Sequence, residues 1–576
     1  MRLSAERNIC MRRAAIGCSA GLIASFFLTS TLHNLWLGLV LGVLSGALYG
    51  LAVAPARFAY AESVFTGGSL AIPLWAAISL ILLPILAGNA PQWTAAGMRT
   101  LFPQLVAWVV FGAMLGLFAQ TLNDVALRLV GPEPVPQSVT VPQTRVVILG
   151  GGFAGMTTAE CLEREFGPDR SVSFTLISEG NALLFTPMLA EVAGSSLEPS
   201  HISSPLRTNL RRTNVMRARV TSVDLASRRV LLESADGNAE SVEYDHVVFA
   251  LGSMSNYFGN DNIRRSSFDF KSLLDAIRIR NHVIDMFERA DRETDKVLRR
   301  SLLSFVVAGG GFAGVELAGA LNDFARGILA DYPNLRPVDL NVIVVHSRQQ
   351  ILPELSPTLG AYALSSMQAR GVRFELGRRV VDARPGVVVL DNGEISSNTL
   401  VWTAGTAPNS LLREAGLTTD KRGAAEVDRT LAILGYPGAW ALGDCAAVVD
   451  AKTNQPCPPT AQYALREGRV LARNIKASVR SQPLETFHFD SLGALCVVGH
   501  HTACAELNLP WPARKSVRFS GLLAWMMWRG IYLSKLPGLE RKVRVLTDWN
   551  VELFFPRDIV QTIDLTEGGP ITDRAK

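Results

Sequence analysis

Two glycine runs carry the first chemistry offered by this sequence of 576 residues. Gly150-Gly151-Gly152-Phe153-Ala154-Gly155 follows the β-rich apolar run Arg145–Leu149 and leads into a helical pattern from Met156. This is G-x-G-x-x-G between a strand and a helix. Gly150 permits the tight turn, Gly152 lets backbone approach a pyrophosphate, and Gly155 lets helix and strand pack closely, so the helix N-terminus can hold the anion. Glu179, ending the next expected strand Ser173–Ser178, stands where an acid binds a ribose hydroxyl. Leu303–Ala308 and Gly309-Gly310-Gly311-Phe312-Ala313-Gly314 repeat the device, with Gly309, Gly311 and Gly314 in the same three roles. Two sites imply two dinucleotides. The strand after the second helix, Val342–Val345, ends in His346-Ser347-Arg348 where an NAD-selective site usually has an acid. Without that carboxylate nothing repels a 2′-phosphate, and Arg348 could bind one. The alternative is that His346 and Arg348 only solvate a loop.

Other chemistries are excluded by what surrounds these runs. The seven cysteines form no C-x-x-C and no ligand-spaced pair with histidine, which argues against a disulfide reductase and a structural zinc site, and no metal is expected. Hydrophobic residues make up 48% and charged ones 19%, too apolar for a disordered chain and high for a wholly soluble one. The net charge of +5 is spread among acids apart from one C-terminal basic cluster, so no nucleic-acid partner is expected.

The excess apolarity lies at the N-terminus. Ala14–Ser30, Leu35–Val53, Leu70–Leu86 and Leu101–Leu122 each approach the ~20 residues of a bilayer-crossing helix. Four spans are expected. Arg2, Arg7, Arg12 and Arg13 before the first and Arg128 after the last put both ends on the cytoplasmic side; Arg57 agrees and Arg99 is an exception. Gly38, Gly42, Gly46 and Gly50 form one face of the second span, along which a homodimer partner or another helix could approach; the pairs Gly17/Gly21 and Gly112/Gly116 are read as ordinary membrane-helix glycines. His33 falls in an expected loop, Glu62 between spans and Asp124 at the edge of the last, so the bundle reads as an anchor rather than a proton relay. Gly131–Pro136 reads as a stiff spacer leading out of the membrane.

Further motifs identify a family. Leu184-Phe185-Thr186-Pro187-Met188-Leu189-Ala190-Glu191-Val192-Ala193, the strand ending Phe249-Ala250-Leu251-Gly252, Gly314-Val315-Glu316-Leu317-Ala318-Gly319, Val401-Trp402-Thr403-Ala404-Gly405 and Trp440-Ala441-Leu442-Gly443-Asp444-Cys445-Ala446 accompany the two glycine turns. Together they resemble the two-dinucleotide-binding-domain flavoproteins, and within them the type II, non-proton-pumping NADH:quinone oxidoreductases. The resemblance implies an α/β fold of two Rossmann-like, glutathione-reductase-like domains, here preceded by an all-α four-helix transmembrane segment and followed by amphipathic membrane-surface helices. The implied division is 1–130 transmembrane, 131–143 linker, 144–262 and 399–485 FAD-binding, 263–398 NAD(P)H-binding, and 486–576 membrane-associating.

By the same resemblance Gly150, Gly152, Phe153, Ala154, Gly155, Glu179, Ala250, Gly252, Gly405 and Gly443 contribute to cofactor binding, and Asp444 accepts a hydrogen bond from the flavin ribityl chain. Gly309, Gly311, Gly314, His346 and Arg348 belong to the nicotinamide site. Glu316 resembles the family glutamate near the nicotinamide–flavin contact, against the alternative of an acid favoured by the helix dipole. Gln462, in Pro458-Pro459-Thr460-Ala461-Gln462-Tyr463-Ala464, resembles the family's quinone-side A-Q motif, although Arg466-Glu467 replace the usual paired glutamines. Gly521–Lys535 is too short and too basic to span, and its tryptophans with Arg514, Lys515, Lys535, Arg541, Lys542 and Arg544 suit the headgroup level. The expected activity is hydride transfer from NADH, with NADPH accepted, to FAD, and then two electrons to a membrane quinone, at the inner cell membrane with the catalytic domain cytoplasmic. The alternatives are a sulfide:quinone oxidoreductase, which needs a redox cysteine pair, and a non-enzymatic membrane redox sensor or scaffold.

Overall fold

The computed structural model describes residues 2–32, 34–53, 60–90, 101–130, 143–234, 236–508 and 516–561, without the side chains of 2–9 and 30–32. His33, Arg57, Arg99, the spacer 131–136, Arg514 and Lys515 lie outside the described residues, as do the side chains of Arg2 and Arg7. The chain forms two units, Met1–Val139 and Thr140–Lys576.

In the first unit the helices are α1 (Arg2–Ala24), α2 (Leu35–Ala52), α3 (Tyr60–Trp75) and α4 (Phe102–Leu129). A π-helical stretch, Ala76–Leu82, continues α3 and relaxes the helix after Pro73. Three described helices are long and apolar enough to cross a membrane: Leu35–Ala52, Tyr60–Leu86 and Phe102–Leu129. The first expected span is divided between α1 and a short helix, Phe26–Leu32. Ser25 stands at the break and its hydroxyl donates to the Leu22 carbonyl at 2.6 Å, a local bond that competes with the helix ladder.

The glycines close these helices into pairs. A Cβ on Gly46 would lie 2.1 Å from the Gly17 carbonyl oxygen, one on Gly21 2.1 Å from that of Gly42, and one on Gly50 2.2 Å from that of Arg13. Between α3 and α4, a Cβ on Gly67 would sit 2.0 Å from the Gly112 oxygen and one on Gly116 2.0 Å from the Ser63 oxygen. The ordinary-glycine reading of Gly17/Gly21 and Gly112/Gly116 is therefore wrong: the opposing helix leaves no room for a side chain. Asp124 also departs from its expected edge position. It is buried, and its Oδ1 accepts from Gln120 Nε2 at 3.0 Å while Gln120 Oε1 accepts from Ser63 Oγ at 3.1 Å.

The second unit begins with β1 (Thr144–Leu149), β2 (Val172–Ser178), β3 (Asn214–Asp224) and β4 (His246–Phe249). β1 is buried along Val146–Leu149 and pairs in parallel with β2 and β4, which is why it reads as an uninterrupted apolar run. A second sheet follows, built from β5 (Ser304–Ala308), β6 (Asn341–His346), β7 (Val372–Leu376) and β8 (Thr399–Trp402), all parallel, with Phe268–Asp269 beyond β8. Membership of β8 in this sheet corrects the expected boundary at 399: the chain leaves the second layer only after Trp402. It crosses at Thr406–Pro408, which pairs with Ser253–Ser255, and β9 (Ala439–Ala441) then joins the first sheet beside β4.

An antiparallel sheet of β10 (Gly493–Gly499), β11 (Thr502–Asn508) and β12 (Ser516–Ser520) completes the unit with two helices, Gly521–Lys535 and Leu539–Phe554. Their tryptophans are not at a surface. Trp525, Trp528 and Trp549 are buried, whereas Leu522, Leu523, Met526, Leu546 and Phe554 are exposed. Composition suggested a headgroup belt, but two of the rings instead hold Arg529, whose Cζ lies 3.9 Å from the Trp525 ring centroid and 4.6 Å from that of Trp549, while Trp528 packs against Tyr532 and Trp549.

Because the α1–α2 contact is backbone on backbone, Gly46→Leu should separate the pair at a cost of about 1–3 kcal/mol. The expected result is a lower thermal unfolding midpoint of the full chain in detergent, with Leu48→Ala on the exposed side of α2 as a silent control. An unchanged midpoint for Gly46→Leu would show that this contact does not hold the helices.

Candidate active site

The first glycine turn joins β1 to the helix Phe153–Phe166. Gly150 has φ +109°, and a Cβ there would lie 2.3 Å from the Ala250 oxygen; one on Gly155 would lie 1.9 Å from the Gly150 oxygen. Only glycine can stand at either place. Ahead of Gly152 the space is open, and this helix has no side-chain cap, so its first N–H groups face that space. Phe153 packs edge-on against Phe185 at 5.8 Å, and Ala154 is buried below. Glu179 is exposed beyond β2, with Arg219 Nε 3.5 Å away.

Two other strand ends meet this turn. Ala250 and Gly252, the latter at φ +65°, follow β4, and Gly443, at φ +72°, follows β9. Gly443 donates its N–H to Glu467 Oε2 at 2.7 Å, and a Cβ on Gly443 would touch Ala154 at 3.1 Å. Burial pushes the Glu467 carboxyl up to about 7. Nothing in the G-D sequence itself signals this partner, which arrives from the helix Ala461–Val479. Asp444 Oδ2 accepts from Ser253 Oγ at 2.9 Å, and Lys271 Nζ donates to the same hydroxyl at 3.1 Å. Burial lowers the Lys271 ammonium, opposed by Asp444 and Asp269.

The second turn joins β5 to the helix Phe312–Ile328 with the same geometry. Gly309 has φ +123°, a Cβ on Gly314 would lie 2.0 Å from the Gly309 oxygen, and the helix again has no side-chain cap. His346 does not merely solvate a loop. Its Nδ1 accepts the Gly310 N–H at 3.1 Å, and a Cβ on Gly310 would strike its ring at 2.7 Å. The ring thus props the turn from below; burial lowers its pKa and Arg348 adds to the effect. Arg348 is exposed, and Gly377 and Arg378 of the neighbouring strand end bond back to the Arg348 and His346 carbonyls at 3.1 and 3.0 Å. Glu354 was not foreseen: its Oε1 would be 3.4 Å from a Cβ on Gly311, so a carboxyl stands over the turn, raised by burial. Gly405 is confined by Phe258 and Asn256 at the crossing between the two sheets.

Glu316 points from the second-turn helix toward β10 and accepts the Val497 N–H at 3.3 Å. Burial pushes its carboxyl up to about 8, and Glu191 adds to this. A solvent-facing acid stabilised by the helix dipole would shift the other way, so that alternative falls. Gln462 is a clamp on the start of β10: its Nε2 donates to the Gly493 oxygen at 3.1 Å and its Oε1 accepts from Leu492 N at 3.0 Å. The cysteines are free thiols. Cys445 bonds the Phe249 and Leu442 carbonyls, burial raising its thiol to about 12, and Cys496 faces Cys504 across β10 and β11 with both thiols raised by burial.

Residues 144–468 match the model of the pyridine nucleotide-disulphide oxidoreductase family, and residues 492–558 match that of the NDH2 C-terminal domain. The type II NADH:quinone oxidoreductase Ndh of Mycobacterium tuberculosis is 31% identical over 442 residues, spanning 74% of this chain and 91% of its own. The chain belongs to the type II NADH:quinone oxidoreductases. The Staphylococcus aureus type II NADH:quinone oxidoreductase is 29% identical over 368 residues, covering 62% of this chain and 88% of its own. In fold, this type II enzyme is similar to NDH2 from Plasmodium falciparum in complex with NADH, with TM-score 0.67, 18% identity, and coverage of 73% of this chain and 100% of that one. The sulfide:quinone oxidoreductase of Aquifex aeolicus shares the fold at TM-score 0.54 and 17% identity, over 72% of this chain and 95% of that one.

The raised carboxyl makes a stability prediction for the type II enzyme. An acid whose folded pKa exceeds its unfolded value contributes stability that is full below the unfolded pKa, about 4.3, and lost as pH rises through the folded value. Glu316→Gln removes this loss while keeping an acceptor for Val497 N–H. Its unfolding midpoint should therefore gain on the wild type between about pH 4.5 and 8 and run parallel above, as denaturation across that range will show.

Proposed function

We propose that this chain oxidises NADH and reduces a membrane quinone through bound FAD, with the first glycine turn as the FAD site and the second as the nicotinamide site. The observation that carries this reading is the pair of uncapped helices behind glycine turns, each beginning where a pyrophosphate would sit, on two separate sheets whose strands beside the turns run parallel. The first turn fits FAD: no Cβ obstructs the space ahead of Gly152, and Gly252 and Gly443 hold backbone conformations that favour glycine around it. FAD supplies the two-electron relay, accepting a hydride from NADH and passing both electrons to the quinone.

The protein's own part is to bind, orient and shield. Gly150, Gly152 and Gly155 bring backbone to the pyrophosphate, Glu179 takes the ribose, and Ala250, Gly252, Gly405 and Gly443 keep side chains out of the way. Asp444, oriented by Ser253 and Lys271, accepts from the ribityl chain. Gly309, Gly311 and Gly314 serve the nicotinamide cofactor, with Glu316 at the meeting of the two. Gln462 positions the quinone-side wall through its two hydrogen bonds to Leu492 and Gly493 at the start of β10.

The domain reading is 1–130 transmembrane, a linker to 143, FAD-binding segments on either side of the nicotinamide domain, and a membrane-associating C-terminus from 486. The helical unit supplies four cytoplasm-to-cytoplasm spans, the first of them crossing in spite of its break at Ser25. The glycine face of α2 supports helix packing within one chain, since α1 already occupies it, and leaves a homodimer to other surfaces. Exposed Leu522, Leu523, Met526 and Phe554, with Arg541, Lys542 and Arg544 nearby in sequence, support membrane-surface docking of the last two helices. Enzyme turnover follows from the family, which sets aside the sensor or scaffold reading.

Asp444→Ala should lower the flavin-to-protein ratio of the purified protein, read from its absorbance, while leaving nicotinamide binding unchanged; full flavin retention would remove Asp444 from the site. With His346 where a repelling acid would be, kcat/KM should favour NADH yet remain measurable with NADPH. Arg348→Ala should depress NADPH use alone. Complete rejection of NADPH by the wild type would show that this strand end does not read the phosphate.

A further inference from the structure

A cavity of about 30 Å³ lies where the second-turn helix, the Leu189–Ala193 helix and the two C-terminal helices converge. Its walls include Glu316, Glu191, Trp528, Arg529, Glu552 and His500. Two buried donors there, Trp528 Nε1 and Arg529 Nε, have no hydrogen-bond partner among the described residues. Trp528 is close enough to steady the Glu316 anion but closes no hydrogen bond to it. Buried N–H groups left unpaired are costly, and about 10–15 Å³ already holds a water. An ordered water satisfies both conditions.

We propose that this cavity holds a water linking Glu316 to Glu191, and that Glu191 carries to it the solvent proton consumed in each turnover. The proposal rests on the quinone-reductase reading above. When NADH reduces a quinone, the C4–H bond of NADH breaks and its hydrogen leaves with both electrons. Two O–H bonds form on the quinone. One of those hydrogens balances the hydride, and the second is a proton from solvent, which needs a route to a shielded site.

The surroundings of Glu191 suit that task. Its Oε2 accepts from Trp549 Nε1 at 3.1 Å. Burial pushes its carboxyl up to about 7, opposed by Arg529 and Arg557 and reinforced by Glu552, with Glu316 facing it across the cavity. A carboxyl balanced near neutrality can both hold and release a proton. Glu552 cannot: Arg529 at 3.0 Å and Arg557 at 2.9 Å hold it below the usual range despite its burial. The Glu552 anion instead keeps His500, whose Nδ1 is 3.7 Å away and whose side chain is 30% exposed, at the outer mouth of the route. Burial lowers the His500 imidazolium, with His501 and Arg557 acting in the same direction and Glu552 and Asp323 opposing them, and its ring nitrogens can relay a proton between solvent and the cavity.

The test uses the full-length FAD-loaded protein and the variant Glu191→Gln, which keeps the acceptor for Trp549 but carries no proton. In anaerobic stopped flow, NADH should bleach the flavin of the variant as fast as that of the wild type. Turnover with a soluble quinone should fall on the order of 100-fold, lose the decline above about pH 7 and show an altered solvent isotope effect. Glu191→Asp should restore part of the rate. Apart from turnover, a protonated-carboxyl infrared band should disappear in Glu191→Gln, and a high-resolution structure of the holoenzyme should show the water. If Glu191→Gln loses its flavin, Trp528→Phe decides: it should slow quinone reduction and empty the cavity. Unchanged turnover and pH profile in the variant that folds, or a dry cavity in the wild type, overturns the proposal alone. Failure of NADH to bleach the wild-type flavin overturns the oxidoreductase reading and this proposal with it.

Discussion

Contact of backbone with backbone, at distances that forbid a Cβ, is the constraint on which both units depend. In the catalytic unit it sets the strand–turn–helix junctions: the Gly150 oxygen lies where a Cβ of Gly155 would be, and the Gly309 oxygen where one of Gly314 would be. Each junction aims the first N–H groups of a helix at one point in space, which is what an anionic dinucleotide needs. In the helical unit the same contact joins α1 to α2 and α3 to α4. Helices long and apolar enough to cross a membrane gain from such contact, because lipid offers no hydrophobic drive between helices and close van der Waals packing must supply the attraction. One residue type thus does two jobs because the physical demand, the absence of a side chain, is identical.

What was legible in the sequence follows from how far a signal must travel along the chain. The glycine turns are local and were read with their strands and helices; β5 and β6 differ from expectation by a single residue at their ends. The roles of His346 and Glu467 are not local. His346 acquires its function from Gly310, thirty-six residues earlier, and Glu467 from Gly443, twenty-four residues earlier, so type and spacing alone could not separate a prop from a solvated loop. The tryptophans misled for a related reason. Composition places Trp and basic residues at an interface, but only packing tells which side of a helix faces inward. Here the inward side carries Trp525 and Trp528, and the leucines lie outside.

Charge is handled differently at the surface and in the interior. Several ion pairs among the described residues have both partners exposed, such as Arg384 with Glu394 at 2.6 Å, and such pairs contribute little, typically up to about 1 kcal/mol. Around the C-terminal helices the charges are buried and must satisfy one another. Glu552 accepts two guanidinium groups, and Arg529 lies between two indole faces that stabilise a cation partly stripped of water. Removing either arginine would leave Glu552 buried with half its compensation, a far larger penalty than loss of a surface pair.

That arrangement also explains why protonatable carboxyls can exist beside a fully ionised one. Two arginines assigned to Glu552 keep it charged, which leaves Glu191 and Glu316 without a dedicated cation and with burial as the leading influence on each. Desolvation then favours their neutral forms, so the cluster contains both a fixed anion and two carboxyls near their midpoints at physiological pH. Had Arg529 paired with Glu191 instead, that carboxyl would be ionised and unable to give up a proton. The stacking of Arg529 between Trp525 and Trp549 fixes the guanidinium toward Glu552, so the aromatic cage, which makes no hydrogen bond to the arginine, decides which acid is the ion and which are the acids.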